Sequence, residues 1–211
     1  MRGALNLIGA ATVAGVLVII VVAMTAAVTH HSFGDFTRDW RSLAEEAGVH
    51  LPFYTASLSI LNIIAWAVGG SLALLAGYLL PARRRWLLTF GGFLCLLTAD
   101  DALTLHENAF GLEVAIYVVY GLIGLALVAG TRQQGFDGAG IALVIGGAFL
   151  AASLIADQLL VAQYFVEDVP KLIGAFVWIT VPLLHLRGLR VATTQVSIGS
   201  VSDAAAYCPA S

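Results

Sequence analysis

Apolar runs of about 20 residues recur along this chain, and each is long enough to cross about 30 Å of hydrocarbon as a helix. Hydrophobic residues make up 60% of the 211 residues and charged residues only 11%, against roughly 45–50% and about 25% in a soluble domain. Strands of a membrane barrel would alternate between apolar and polar positions over about ten residues. These runs are continuously apolar, so the sequence predicts an all-α integral membrane protein.

Six apolar segments are separated by charge, proline or glycine. They cover residues 5–28, 53–80, 86–105, 112–130, 141–165 and 172–189. We therefore expect a single six-helix transmembrane domain over residues 1–190, with an outer loop at 29–52 that contains a short interfacial helix. Residues 191–211, rich in Ser, Thr and Ala, predict a disordered cytoplasmic tail. The first run exceeds the roughly 7–15 apolar residues of a signal peptide, so we expect an uncleaved helix.

The basic residues indicate the orientation, because Lys and Arg near span ends are retained on the cytoplasmic side. With a cytoplasmic N-terminus, the inner set is Arg2, Arg83, Arg84, Arg85, Arg132, Arg187 and Arg190, and the outer set is Arg38, Arg41 and Lys171. This bias predicts both termini in the cytoplasm and a multi-pass protein of the cell membrane, whose first partner is the lipid bilayer. The formal net charge of −3 provides no basic surface for nucleic acid.

Acidic and histidine side chains concentrate toward the predicted outer face. Asp100, Asp101 and Asp157 interrupt apolar stretches, where an Asp at the centre of a span costs about 2.5–3.5 kcal/mol. Asp100 and Glu107 are seven residues apart and so share one helix face, which His106 and Asp101 flank. Because such residues need partners, we predict that they gather in one pocket below the outer surface.

A weak internal repeat bears on this pocket. The glycine pair at 91–92 leads to Asp100, and the pair at 146–147 leads to Asp157. If the repeat reflects a parallel duplication of a helical hairpin, helices 3 and 4 match helices 5 and 6, and Asp100 or Asp101 lies opposite Asp157. The alternative is chance similarity between helices rich in Gly, Ala and Leu.

The first function compatible with such a pocket is a metal-dependent membrane hydrolase acting on a lipid-like substrate. Its catalytic groups would be Asp100, Asp101 and Glu107, and its metal ligands Asp100, Asp101, His106, Glu107 and Asp157. Oxygen ligands with one imidazole suit a divalent ion such as Mg, Mn or Ca. The residues expected at the entrance or around the ligands are Glu113, Glu167, Asp168 and Lys171.

Two other functions are also compatible with the sequence. Carboxylates crowded in a low dielectric cannot all ionise, so they would hold protons or a cation, as in a cation- or proton-binding transporter. Alternatively, the cluster satisfies itself within a non-catalytic subunit whose partner is another membrane subunit. In that case Lys171 forms helix-entry ion pairs with Glu167 and Asp168, and Asn62 makes an interhelical hydrogen bond. The sequence leaves the three functions open.

Overall fold

The protein is all-helical in the part of the chain that the computed structural model describes, which is residues 2–29, 57–103, 112–133, 137–159 and 167–187. These residues contain six helices long and apolar enough to cross a membrane. They are α1 (Arg2–Thr29), α2 (Ser57–Leu79), α3 (Arg84–Leu103), α4 (Glu113–Gln133), α5 (Gly138–Leu159) and α6 (Glu167–Arg187). A 3-10 turn, Pro81–Arg83, joins α2 to α3. The prediction of an all-helical chain with six helices long and apolar enough to span a membrane is confirmed. The expected interfacial helix and the tail at 191–211 lie outside the described residues.

Helix α6 extends beyond its apolar segment. The helix begins at Glu167, five residues before the apolar segment at 172–189. Glu167, Asp168 and Lys171 therefore lie in the first turns of this helix, as the predicted helix-entry ion pairs require. Hydropathy could not place them there, because a charge is tolerated inside a span only when other helices supply its partners.

Contacts between helix ends place the α2–α3 and α4–α5 connections at the same end of the bundle, as expected for helices that alternate in direction. Arg83, in the turn between α2 and α3, lies 3.1 Å from Asp137 before α5 and 3.2 Å from His185 near the end of α6. Gly138 at the start of α5 packs against Ala4 at the start of α1. The two connections, the start of α1 and the end of α6 therefore share one end of the bundle.

Helix α6 lies at the centre of the bundle. Half of its apolar window is buried, compared with 17% for α1 and 11% for α4. Gly15 brings α1 against α6, since a Cβ at Gly15 would lie 3.4 Å from the Cα of Ile173. Gly174 also brings α5 close to α6, since a Cβ at Gly174 would lie 2.9 Å from the carbonyl oxygen of Gly146. Small residues of this kind let transmembrane backbones approach each other.

Two tryptophans each link their own helix to a neighbouring helix through the same kind of hydrogen bond. Trp86 of α3 donates from Nε1 to the carbonyl oxygen of Leu127 in α4 at 3.0 Å, and Trp178 of α6 donates to that of Leu143 in α5 at 2.9 Å. Each indole also lies against the glycine three residues beyond the bonded carbonyl. The two glycines are Gly130 and Gly146. This arrangement satisfies an N–H in an apolar interior, and it requires a residue without a Cβ beside each ring.

Side chains spaced by seven or eight residues pair α3 with α6 along the bundle. The pairs are Asp101 with Lys171 at 3.5 Å, Phe93 with Trp178 at 5.9 Å between ring centroids, and Trp86 with His185 at 5.6 Å. Around the middle pair, Trp66 and Phe90 also contact Trp178 at 5.6 and 5.7 Å. We call Trp66, Phe90, Phe93 and Trp178 the aromatic layer. It separates polar side chains at the two ends of the bundle.

Candidate functional site

A charged cluster lies at the end of the bundle opposite Arg83. It consists of Lys171 and the carboxylates of Asp101, Glu167 and Asp168. The ammonium nitrogen of Lys171 is 2.8 Å from Glu167 Oε1, 3.5 Å from Asp101 Oδ1 and 3.9 Å from Asp168 Oδ1. All four side chains are less than one-fifth exposed. The predicted pairs with Glu167 and Asp168 are confirmed. The contact with Asp101 of α3 makes Lys171 the centre of the cluster.

Asp168 is the most buried carboxylate of the charged cluster, with 6% exposure. Helix α2 provides a donor for each of its oxygens: Ser59 Oγ donates to Oδ2 at 2.9 Å, and Asn62 Nδ2 donates to Oδ1 at 3.1 Å. Ser59 and Asn62 are three residues apart and so lie on the same helix face. The predicted interhelical hydrogen bond of Asn62 is therefore confirmed. These bonds explain how a span accommodates this carboxylate.

Trp66 is a member of the site that the sequence did not identify. It is 1% exposed, and its Nε1 donates to Asp101 Oδ2 at 3.1 Å. A usable signal was present, because Ser59, Asn62 and Trp66 recur at the spacing of one helix face and all three carry hydrogen-bond donors. Because Trp66 belongs to the aromatic layer, its indole links Asp101 directly to that layer.

Asp100 faces a different neighbour. It is 3% exposed, and the hydroxyl of Tyr120 on α4 is placed to donate a hydrogen bond to it. The ring of Tyr120 contacts Phe93 at 6.0 Å between centroids. The adjacent carboxylates of Asp100 and Asp101 therefore diverge, one toward α4 and the other toward α2 and α6, as successive residues on a helix must.

A cavity of about 30 Å³ joins these side chains. Its polar lining is Asp100, Asp101, Tyr117, Tyr120, Glu167 and Lys171, and its other walls are Trp66, Leu97, Leu150 and Leu154. Helices α2 to α6 all contribute side chains to the lining of this cavity. The volume accommodates one or two water molecules, and so it admits water-sized species but no acyl chain.

Charge is unbalanced at this end of the bundle. Four described carboxylates, those of Asp100, Asp101, Glu167 and Asp168, accompany the one ammonium of Lys171. Charges removed from water need compensation close by, because their solvation is lost and mutual repulsion is poorly screened. A cluster with this surplus attracts protons or a small cation.

Several predicted ligands cannot be placed. His106 and Glu107 belong to residues 104–111, outside the described part of the chain, and the side chains of Glu113 and Asp157 also lie outside it. Among the described side chains, no three of His, Cys, Asp or Glu meet in a group that could hold a metal ion. The metal site, the approach of Asp157 to Asp100 and the hairpin duplication therefore stay predictions.

The opposite end carries a smaller polar group of Arg83, Asp137 and His185. Arg83 donates to Nδ1 of His185, so a neutral imidazole there carries its proton on Nε2. The Oδ1 atom of Asp137 accepts the backbone N–H groups of Ala139 and Gly140 at 3.0 and 3.1 Å. Asp137 is thus both the ion-pair partner of Arg83 and the N-cap of α5.

Comparison with known proteins identifies the family of this chain. No curated protein and no solved structure matches it. A family match extends over residues 10–186, from within α1 almost to the end of α6. The chain therefore belongs to the family described as Domain of unknown function (DUF8692).

Proposed function

We propose that this protein binds and transports small cations or protons across the cell membrane, using the charged cluster as its binding site. The observation that carries the proposal is a poorly exposed ammonium, that of Lys171, among carboxylates that outnumber it, beside a cavity of about 30 Å³. Both termini lie in the cytoplasm in this proposal. The end that holds Arg83, Arg84, Arg85 and Arg187 faces inward, as the distribution of basic residues favours.

The size of the cavity favours an ion over a lipid. Sites for small-molecule substrates usually occupy about 300–1,000 Å³, whereas the space beside Lys171 is about 30 Å³. A proton, a hydrated proton or a bare monovalent cation fits the smaller volume. The surplus of carboxylates also provides the charge that such a ligand needs.

Lys171 acts as an internal counter-ion in this proposal. It contacts Glu167 at 2.8 Å but Asp101 at 3.5 Å, so Asp101 is the weaker of these two contacts. An entering cation competes with the ammonium for Asp101, while Lys171 keeps Glu167. The two positive charges thus share one set of carboxylates, and binding of one weakens the hold on the other.

The aromatic layer closes the inner side of the site. Trp66 bonds to Asp101 and contacts Trp178 edge-on, so a change at Asp101 reaches the layer through one indole. Passage toward Arg83 and His185 therefore requires these rings to move. Pro182 lies in α6 between the layer and His185, where it removes a backbone donor and weakens the helix.

Reconstitution into liposomes tests the proposal. Wild-type protein should carry protons, Na⁺ or K⁺ down an imposed gradient, and Asp101→Asn should lower the rate by about tenfold or more, which corresponds to about 1.4 kcal/mol. Asp137→Asn makes the same chemical change at the opposite end of the bundle and should retain the rate. Wild-type flux equal to that of empty vesicles, or full flux in Asp101→Asn, would refute the proposal.

Separate experiments test the two alternative functions, the metal-dependent hydrolase and the non-catalytic subunit. The hydrolase depends on His106, Glu107 and Asp157, so metal analysis of purified wild type and His106→Ala decides it. A stoichiometric metal that His106→Ala loses would support the hydrolase, and protein without metal would remove it. A subunit would show neither metal nor flux, and its cluster variants would lose only stability or recovery of a partner.

A further inference from the structure

The side-chain amide of Asn62 has hydrogen-bonding capacity that the described residues do not use. Asn62 is 1% exposed, and its Nδ2 donates to Asp168 Oδ1 at 3.1 Å. Its Oδ1 accepts no hydrogen bond from the part of the chain that the structure describes. Buried polar atoms are almost always paired, and an exception calls for an explanation such as a partner water molecule or ion. The nitrogen of this amide faces Asp168, so the unused oxygen lies within one amide group of that carboxylate.

Turning the amide would gather oxygen atoms at one point. The nitrogen and oxygen of a side-chain amide exchange places by a half-turn, and the neighbouring groups decide which one faces them. With no ion present, the nitrogen faces the carboxylate. With a cation present, Asn62 Oδ1, Ser59 Oγ and the two oxygens of Asp168 would face it together. Carboxylate, carbonyl and hydroxyl oxygens are the donor set of hard cations.

The local charge selects a monovalent ion. One carboxylate, that of Asp168, belongs to this group, whereas a calcium site usually combines six to eight oxygens and several carboxylates. Lys171 lies 3.9 Å from Asp168 Oδ1 but 2.8 Å from Glu167, so its ammonium compensates Asp168 least. Nearly complete burial of Asp168 and Asn62 keeps bulk water from supplying the missing compensation.

We propose that Asp168, Asn62 and Ser59 form a binding site for a monovalent alkali cation between α2 and α6. This inference rests on the proposed function, and it deepens that function by naming the ion class and by adding a second group of oxygens to the Asp101 contact. The site lies beside the cavity, on the α2 side of Lys171. Binding there turns the Asn62 amide and places a second positive charge next to the ammonium.

Thermal unfolding of the purified full-length protein in detergent tests the site. NaCl or KCl, titrated against choline chloride at constant ionic strength, should raise the unfolding temperature in a saturable way, because a ligand that binds only the folded state stabilises it. An equal rise with choline chloride, no rise, or a rise with CaCl₂ alone would overturn the proposal.

Variants locate the effect. Asn62→Leu removes the amide oxygen at similar size, and Ser59→Ala is a milder change that serves if Asn62→Leu fails to fold. Each should raise the half-saturating alkali concentration by about tenfold or more, in the range seen when a metal site is altered. Asn6→Leu, on the exposed face of α1, is the matched control and should leave that concentration unchanged. If both variants only lose stability and keep the wild-type response, the proposed site is wrong.

The experiments distinguish a failure of the transport proposal from a failure of the alkali-cation site. An alkali-specific shift in a protein that carries no flux would preserve this site and refute transport. Flux without an alkali-specific shift would preserve transport and refute this site.

Discussion

The contact of Trp178 with Gly146 makes a steep prediction about stability. A Cβ placed on Gly146 would overlap Cδ1 and Nε1 of the Trp178 indole and would lie 2.9 Å from its Cγ. The indole cannot retreat easily, because it is 3% exposed and contacts Trp66, Phe90 and Phe93. Gly146→Ala should therefore displace the ring from its place against α5.

The expected loss has two parts. Overpacking a close-packed interior costs about 1–3 kcal/mol. Moving Nε1 away from the Leu143 carbonyl leaves a buried donor unpaired, which costs another 1–3 kcal/mol or so. Gly146→Ala should thus lower the free energy of unfolding by roughly 2–6 kcal/mol. The neighbouring Gly147 provides the control, since its Cβ would lie 3.7 Å from Trp178 Cζ2, an ordinary contact.

Thermal unfolding followed by tryptophan fluorescence in detergent measures the difference. Gly146→Ala should unfold on the order of 10 °C below wild type, and Gly147→Ala should stay level or rise slightly, because Ala is the better helix former. If the two variants unfold at the same temperature, the packing argument for Trp178 is refuted.

Three further changes test the two ends of the bundle. Lys171→Met leaves buried carboxylates without their ammonium and should lower the free energy of unfolding by about 3–5 kcal/mol, and Lys171→Arg should recover part of that loss. The unfolding temperature measures both variants. A wild-type unfolding temperature in Lys171→Met would contradict the central role of this residue. Trp66→Phe removes the donor to Asp101 and should cost about 1–3 kcal/mol in the same assay, so wild-type stability would show that the bond contributes nothing. Asp137→Asn breaks an ion pair whose side chains are 32% and 43% exposed, and Asn remains a good N-cap residue. The free energy of unfolding should therefore fall by at most about 1 kcal/mol. A larger fall, measured by denaturant unfolding, would indicate that the positions of Arg83 and His185 depend on the charge of Asp137.

Only part of the site was predictable from the sequence. Asp100 and Asp101 stand out because they interrupt an apolar run, and Lys171 follows Glu167 at ion-pair spacing. Their division of roles was not predictable, because adjacent residues on a helix point about 100° apart and the neighbouring helices decide what each one meets. Trp66 was missed because an indole in an apolar segment looks the same whether its N–H bonds to a carboxylate or to a carbonyl.

The sequence alone determined that the chain forms helices long and apolar enough to cross a membrane, because the length and polarity of each segment are local properties. The tertiary structure decided that α6 lies at the centre and that its first turns belong inside the bundle. Glu167, Asp168 and Lys171 can occupy a span only because Ser59, Asn62 and Asp101 come from other helices to meet them. Such pairing depends on which helix faces pack together, and hydropathy carries no information about that choice.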